Sequence, residues 1–171
     1  MIKLTMQKII KEVYILNKPN PEKKLQELGI ELPEPPKPVA SYVPSVKSGN
    51  MVFVSGQIPL VQGNLQYEGK VGGEVSLEDA YEAAKLCTIN CLSVVKGEIG
   101  DLSKIKKIVK VTGYVSSESG FNKQPQVING SSDFLGEVFG EVGEHSRAAV
   151  GVSELPLNSP VEVDMIVEIE E

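Results

Sequence analysis

From Val161 to Ile169 every odd position is apolar, while Glu162, Asp164 and Glu168 stand between them. This two-residue period belongs to a β-strand with one face on a core and the other turned away from it. It demands a layered fold, because Val161, Val163, Met165, Val167 and Ile169 must be buried against a second layer. A helix that suits the purpose is written upstream. Ser76 has the chemistry of an N-cap, and Glu78 and Asp79 place negative charge in the first turn. Leu77, Ala80, Tyr81, Ala84, Cys91, Leu92 and Val95 fall on one stripe, and Lys96 with Gly97 or Gly100 closes the helix.

The remaining elements follow the same logic. Met51 to Ser55 is a short β-prone run ending at Gly56, and Ile105 to Val115 alternates as a long strand. A second helix is expected from Phe121 or Pro125 to Phe139, although Asn129, Gly130 and Gly136 weaken it unless they mark close packing or a site. Arg147 to Ser153 reads as a strand with Val150 and Val152 on one side and Arg147, Ala149 and Gly151 on the other. A proline-bracketed turn from Leu155 to Pro160 then leads into the last strand. The order is strands, helix, strand, helix, two strands, which predicts one sheet with two helices on one face. Arg147, Ala149, Gly151 and the acidic row are expected on the other face, open to water or covered by another subunit.

Residues 1–38 have a different character. Ile2, Met6, Ile9, Ile10 and Val13 form a short amphipathic pattern, and Leu25, Leu28 and Ile30 form a second helical turn with Gly29 at its end. The prolines between Leu32 and Pro38 impose extended backbone. The segment reads as an N-terminal arm docked on a domain spanning 39–171, with a frayed tail as the alternative for residues 1–18.

Composition narrows the function classes. A net charge of −6 with scattered lysines argues against phosphate-backbone binding, so no nucleic-acid partner is expected. No apolar run is long enough to span a bilayer, and no secretory h-region is seen. Cys87 and Cys91 have neither CxxC nor zinc spacing and read as small buried side chains, which with their free thiols fits a cytoplasmic location. No metal site and no cofactor motif are found; Gly72, Gly73 and Gly56 do not form a phosphate cradle.

Sixteen of the seventeen basic residues are lysine, and the exception is Arg147. Arginine at the head of an apolar strand suits bidentate capture of a planar carboxylate, but spacing alone favours a structural ion pair with the acidic row. Glu162 has the strand parity of Arg147, and periodicity makes it a solvated residue. A tight hairpin would set Arg147 opposite Glu168 and Ser153 opposite Glu162. His145, the single histidine, reads as a surface or capping residue, and no serine or cysteine shows a triad.

Two blocks carry a family resemblance. Ser41 to Pro44 with Gly49 to Pro59, and Ser146 to Pro156 with Pro160 to Asp164, resemble the opening and closing blocks of the Rid family of YjgF-type reactive-intermediate deaminases, also called endoribonuclease L-PSP. The resemblance covers roughly residues 39 to 169. It implies an α+β fold similar to chorismate mutase of the Bacillus type, a mixed sheet with two helices on one face, assembled as a homotrimer with clefts between subunits. It further implies cofactor-free hydrolysis of enamines and imines such as 2-aminoacrylate to a 2-keto acid and ammonia. By motif, Arg147 would clamp the substrate carboxylate and Glu162 would orient or polarise the attacking water. Tyr42, Ser55 and the Gly56 backbone would line the pocket, Asn129 would come from a helix, and the Ala149 backbone would lie near the reacting carbon. The chain departs from the archetype at Ala149, often cysteine, at His145, usually proline, across Ser116 to Gly143, and in its added N-terminal residues. Two alternatives accompany this reading: a trimeric module that binds 2-keto acids without turnover, and the ribonuclease or translation inhibitor of the older family name.

Overall fold

The computed structural model describes residues 20–35 and 42–170. The expected amphipathic pattern of residues 2–13 lies outside them. Five strands form one mixed sheet in the order β1 (Ser45–Ser48), β2 (Met51–Gln57), β7 (Val161–Ile169), β5 (Ile105–Ser116) and β6 (Ser146–Val152). The pair β3 (Leu60–Val61) and β4 (Asn64–Leu65) makes a separate small ribbon. Sequence reading did not mark β1, β3 or β4, each too short to carry a period. β5 and β6 are parallel, joined by a crossover through a helix, and the other pairs are antiparallel. β7, last in the chain, occupies the centre of the sheet. Its odd residues Val161 to Ile169 are buried to within 4 % exposure, as the alternation requires.

Two helices cover one face. The longer, α2 (Leu77–Ile99), starts at Ser76, whose Oγ accepts from the Asp79 amide at 3.0 Å, and ends at Gly100 with φ of 82°. The left-handed backbone there is one that glycine adopts without steric cost. Cys87 and Cys91 are fully buried on this helix, and their thiols donate to the Val161 and Val163 carbonyls. Burial pushes both thiols well above their ordinary pKa.

The second covering helix, α3 (Gln124–Phe139), lies against α2. Its Gly130 explains itself: a Cβ there would stand 2.0 Å from the Tyr81 carbonyl oxygen. The neighbouring Ser131 hydroxyl donates to the Ala84 carbonyl at 3.1 Å, so the two backbones touch through small residues. Helix-weakening glycine here is the condition of close packing.

A short helix, α1 (Pro21–Glu27), docks at the far end of α2. Asn20 caps it, Leu25 is buried, and Gly29 follows in the left-handed region. The Glu22 carboxylate accepts from the Leu102 amide at 3.3 Å and pairs with Lys96 at 3.3 Å. Residues 30–35 carry no helix or strand, and Pro35 lies against Gly97.

Register overturns one expectation. β6 does not pair with β7, because β5 stands between them, so the hairpin pairings of Arg147 with Glu168 and Ser153 with Glu162 do not occur. Arg147 aligns with Val111 and through it with Met165, both buried under the helices. Arg147, Ala149 and Gly151 therefore share the helix-covered side at the sheet edge. Glu162 aligns with Tyr114, which aligns with Val150, on the opposite open face. β6 and β7 are consecutive in sequence but not neighbours in the sheet, so a side-chain parity counted from one to the other does not hold.

Candidate functional site

The site residues gather in two groups on opposite sides of the sheet. The first is built at the edge where α3 meets β6. Asn129 and Ser132 are one turn apart on α3 and present their side chains together. Arg147 Nη1 donates to Asn129 Oδ1 at 2.9 Å and to Ser132 Oγ at 3.0 Å. Both acceptors are neutral. Among the described residues the Arg147 side chain makes no ion pair and no further hydrogen bond, and the residue is exposed. The structural ion pair favoured by spacing is thus not formed. The guanidinium is oriented through Nη1, and its other N–H donors have no partner among the described residues, an arrangement suited to a planar anion. Ala149 lies two residues further along the same side of β6, packed against the core.

His145 joins this group. Its Nδ1 lies 2.6 Å from the Gly143 carbonyl oxygen and its Nε2 lies 3.0 Å from Ser132 Oγ. A carbonyl only accepts, so Nδ1 carries a proton, and in the neutral tautomer that this fixes Nε2 is the acceptor for the Ser132 hydroxyl. Gly143 is itself fixed, since a Cβ there would stand 2.3 Å from the Leu135 carbonyl oxygen. In the sequence His145 reads as a surface or capping residue, and no serine shows a triad. The signal available was the three-residue step from Asn129 to Ser132; the approach of His145 is a product of tertiary packing.

The second group sits on the open face around the start of β7. The pairing of β2 with β7 shifts between Val54 and Gln57, so Ser55 and Gly56 form a bulge. The Glu162 carboxylate fills the place a side chain at Gly56 would take: a Cβ there would stand 1.8 Å from Oε1. Burial, and secondarily the like charge of Asp164, raises the Glu162 pKa above its ordinary value. Asp164 accepts from the Tyr114 hydroxyl at 2.9 Å. Ser55 Oγ donates to the Val43 carbonyl at 2.8 Å and pins the segment after Tyr42, which is 61 % exposed. The structure therefore unites Glu162 with Gly56 and Ser55, and Arg147 with Asn129. It does not bring these groups together within one chain. Two strand spacings, about 10 Å, and the sheet itself separate them.

Among the described residues no group of three or more His, Cys, Asp or Glu side chains is placed to hold a metal ion. No helix among them is long and apolar enough to cross a membrane.

Comparison with known proteins places these features in context. Residues 22–169 match the family model described as "YjgF/chorismate_mutase-like, putative endoribonuclease". The chain is 40 % identical to Protein TCP17 of Trypanosoma cruzi over 146 residues, covering 85 % of this chain and 91 % of that one. It is 31 % identical over 141 residues to a 2-iminobutanoate/2-iminopropanoate deaminase of Dermatophagoides farinae, covering 82 % and 95 %. Among solved structures, the protein Atu1372 of Agrobacterium tumefaciens, of unknown function, superimposes with a TM-score of 0.83 at 46 % identity, covering 88 % and 92 %.

Proposed function

This chain belongs to the YjgF/chorismate mutase-like family, and from that premise we propose that it hydrolyses enamines and imines of small 2-amino acids to a 2-keto acid and ammonia. The observation that carries the reading is Arg147: an exposed guanidinium, held by two neutral acceptors, with no carboxylate of its own among the described residues. Charge-assisted hydrogen bonds to a substrate carboxylate are worth about 1.5–3 kcal/mol each. They would bring the imine carbon to the site. That carbon is already electrophilic, so orientation and field supply the rate without a cofactor. The name of the Dermatophagoides relative supports this chemistry.

Glu162 acts as the group that orients and polarises water. Its raised pKa makes it a stronger base than an ordinary carboxylate. Because Glu162 and Arg147 lie on opposite sides of one sheet, the complete site forms between subunits of a homotrimer. The open face supports this assembly, since Val46, Phe53 and Val150 are exposed on it at 54 %, 44 % and 44 %. Tyr42 and the Ala149 backbone line the same inter-subunit cleft.

A dehydratase that releases 2-aminoacrylate in the cuvette, with semicarbazide as the competing trap, tests the proposal. The wild type accelerates pyruvate release and lowers trapped adduct. Arg147→Ala loses about a hundredfold or more of that acceleration. Full activity in Arg147→Ala sinks the mechanism. Undiminished trapping by wild type, with pyruvate still bound, shifts the assignment to a keto-acid binding module. Ribonuclease action finds no support in a net charge of −6.

A further inference from the structure

Four hydrogen bonds around Ser132 have one consistent direction. Arg147 Nη1 donates to Ser132 Oγ, Ser132 O–H donates to His145 Nε2, and His145 Nδ1–H donates to the Gly143 carbonyl, while Asn129 Oδ1 takes the second bond from Nη1. The hydroxyl thus bridges the anion clamp and the only imidazole in the chain. Ser132 and His145 are half-buried beside the exposed Arg147. Clamping the guanidinium alone needs no imidazole, because Asn129 and a serine hydroxyl suffice as acceptors. The imidazole adds one capacity that neither has, which is to take up a proton at one ring nitrogen and return it.

We propose that Ser132 and His145 form the proton relay of this site. The proposal rests on the imine-hydrolysis reading above and assigns the proton traffic that Glu162, on the other wall, does not handle. Hydrolysis of a C=NH group moves two protons from the attacking water to the departing nitrogen. As water oxygen bonds to the imine carbon, its proton passes to Ser132 Oγ while the proton of Oγ moves to His145 Nε2. The reverse motion delivers a proton to nitrogen and gives the carbinolamine. A second cycle takes the carbinolamine hydroxyl proton and hands it to the amine. The C–N bond then breaks, the carbonyl forms and ammonia leaves. Ser132 and His145 end in their starting state. Arg147, donating to Oγ throughout, stabilises the oxygen as its proton shifts.

The test compares wild type, Ser132→Ala, Ser132→Thr, His145→Gln and His145→Gly in the imine-hydrolysis assay, with pyruvate inhibition as a separate reading of the clamp. His145→Gln lowers kcat about a hundredfold while the pyruvate inhibition constant moves less than about threefold, and Ser132→Ala, which also takes an acceptor from Arg147, lowers kcat by at least as much. Ser132→Thr, which keeps the hydroxyl, retains most of kcat, and free imidazole restores turnover to His145→Gly. Thermal melts of each variant establish that it is folded. Wild-type kcat in folded Ser132→Ala and His145→Gln overturns the relay and leaves the deaminase reading intact. Weakened pyruvate inhibition with unchanged kcat also overturns it, since both residues then only prop Arg147. Absence of imine hydrolysis by wild type overturns the relay together with the reading on which it rests.

Discussion

Gly56 has no side chain because Glu162 occupies the place of one. In Gly56→Ala the atom displaced is the end of a flexible carboxylate, 1.8 Å from the new Cβ, so the protein accommodates it by a rotamer change worth about 1 kcal/mol. The same change moves the carboxylate off its position, and kcat/KM is expected to fall by about a hundredfold while the melting temperature falls by only about 2–4 °C. Assay and melt on one preparation check this. Glu162 also sets a pH dependence. The proposed mechanism needs it ionised, and burial with Asp164 raises its pKa, so activity is expected to be lost as pH falls through a pKa above the group's ordinary value. Asp164→Asn removes the repelling charge, and the acid limb of the pH–rate profile moves to lower pH. Both residues were legible as positions in the sequence, through the resemblance of the blocks that contain them. Their contact was not, because it depends on a bulge between two strands far apart in the chain.

At the level of elements, α2 and α3 show why glycines in helices have opposite meanings. Gly130→Ala drives a Cβ into the Tyr81 carbonyl, a backbone atom that cannot step aside, and the helices must separate. A loss of about 1–3 kcal/mol is expected in spite of the better helix propensity of alanine. Gly136→Ala meets nothing within 4 Å on an exposed face, and a gain of about 0.5–1 kcal/mol is expected. Urea unfolding of the two variants, measured side by side, decides the point. Sequence reading placed both helices and the long strands because their periods and caps are local. Ser76 and Gly100 bound α2 by chemistry within one turn of each end. It could not say which glycine was a packing surface, since the Tyr81 carbonyl comes from another helix.

For the whole molecule, the open face of the sheet is the surface that the proposed trimer would bury. Val46 and Phe53 are paired neighbours across β1 and β2, and Phe53 aligns with Ile166 of β7. Phe53→Glu places charge in this row, and under the proposed assembly the wild type sediments as a trimer while the variant sediments as a monomer and loses imine hydrolysis. Equal sedimentation of the two proteins rules out this face as the subunit contact. The sequence by itself determined the layers, the two covering helices, the central alternating strand and the singular arginine, because periodicity, capping and composition act through neighbours in the chain. Only the tertiary structure decided that β5 separates β6 from β7, and hence that Arg147 and Glu162 face opposite ways. It alone brought His145 to Ser132. Strand order and side-chain meetings are set by how the crossover through α3 packs on the sheet, a balance of long-range contacts that no local pattern encodes.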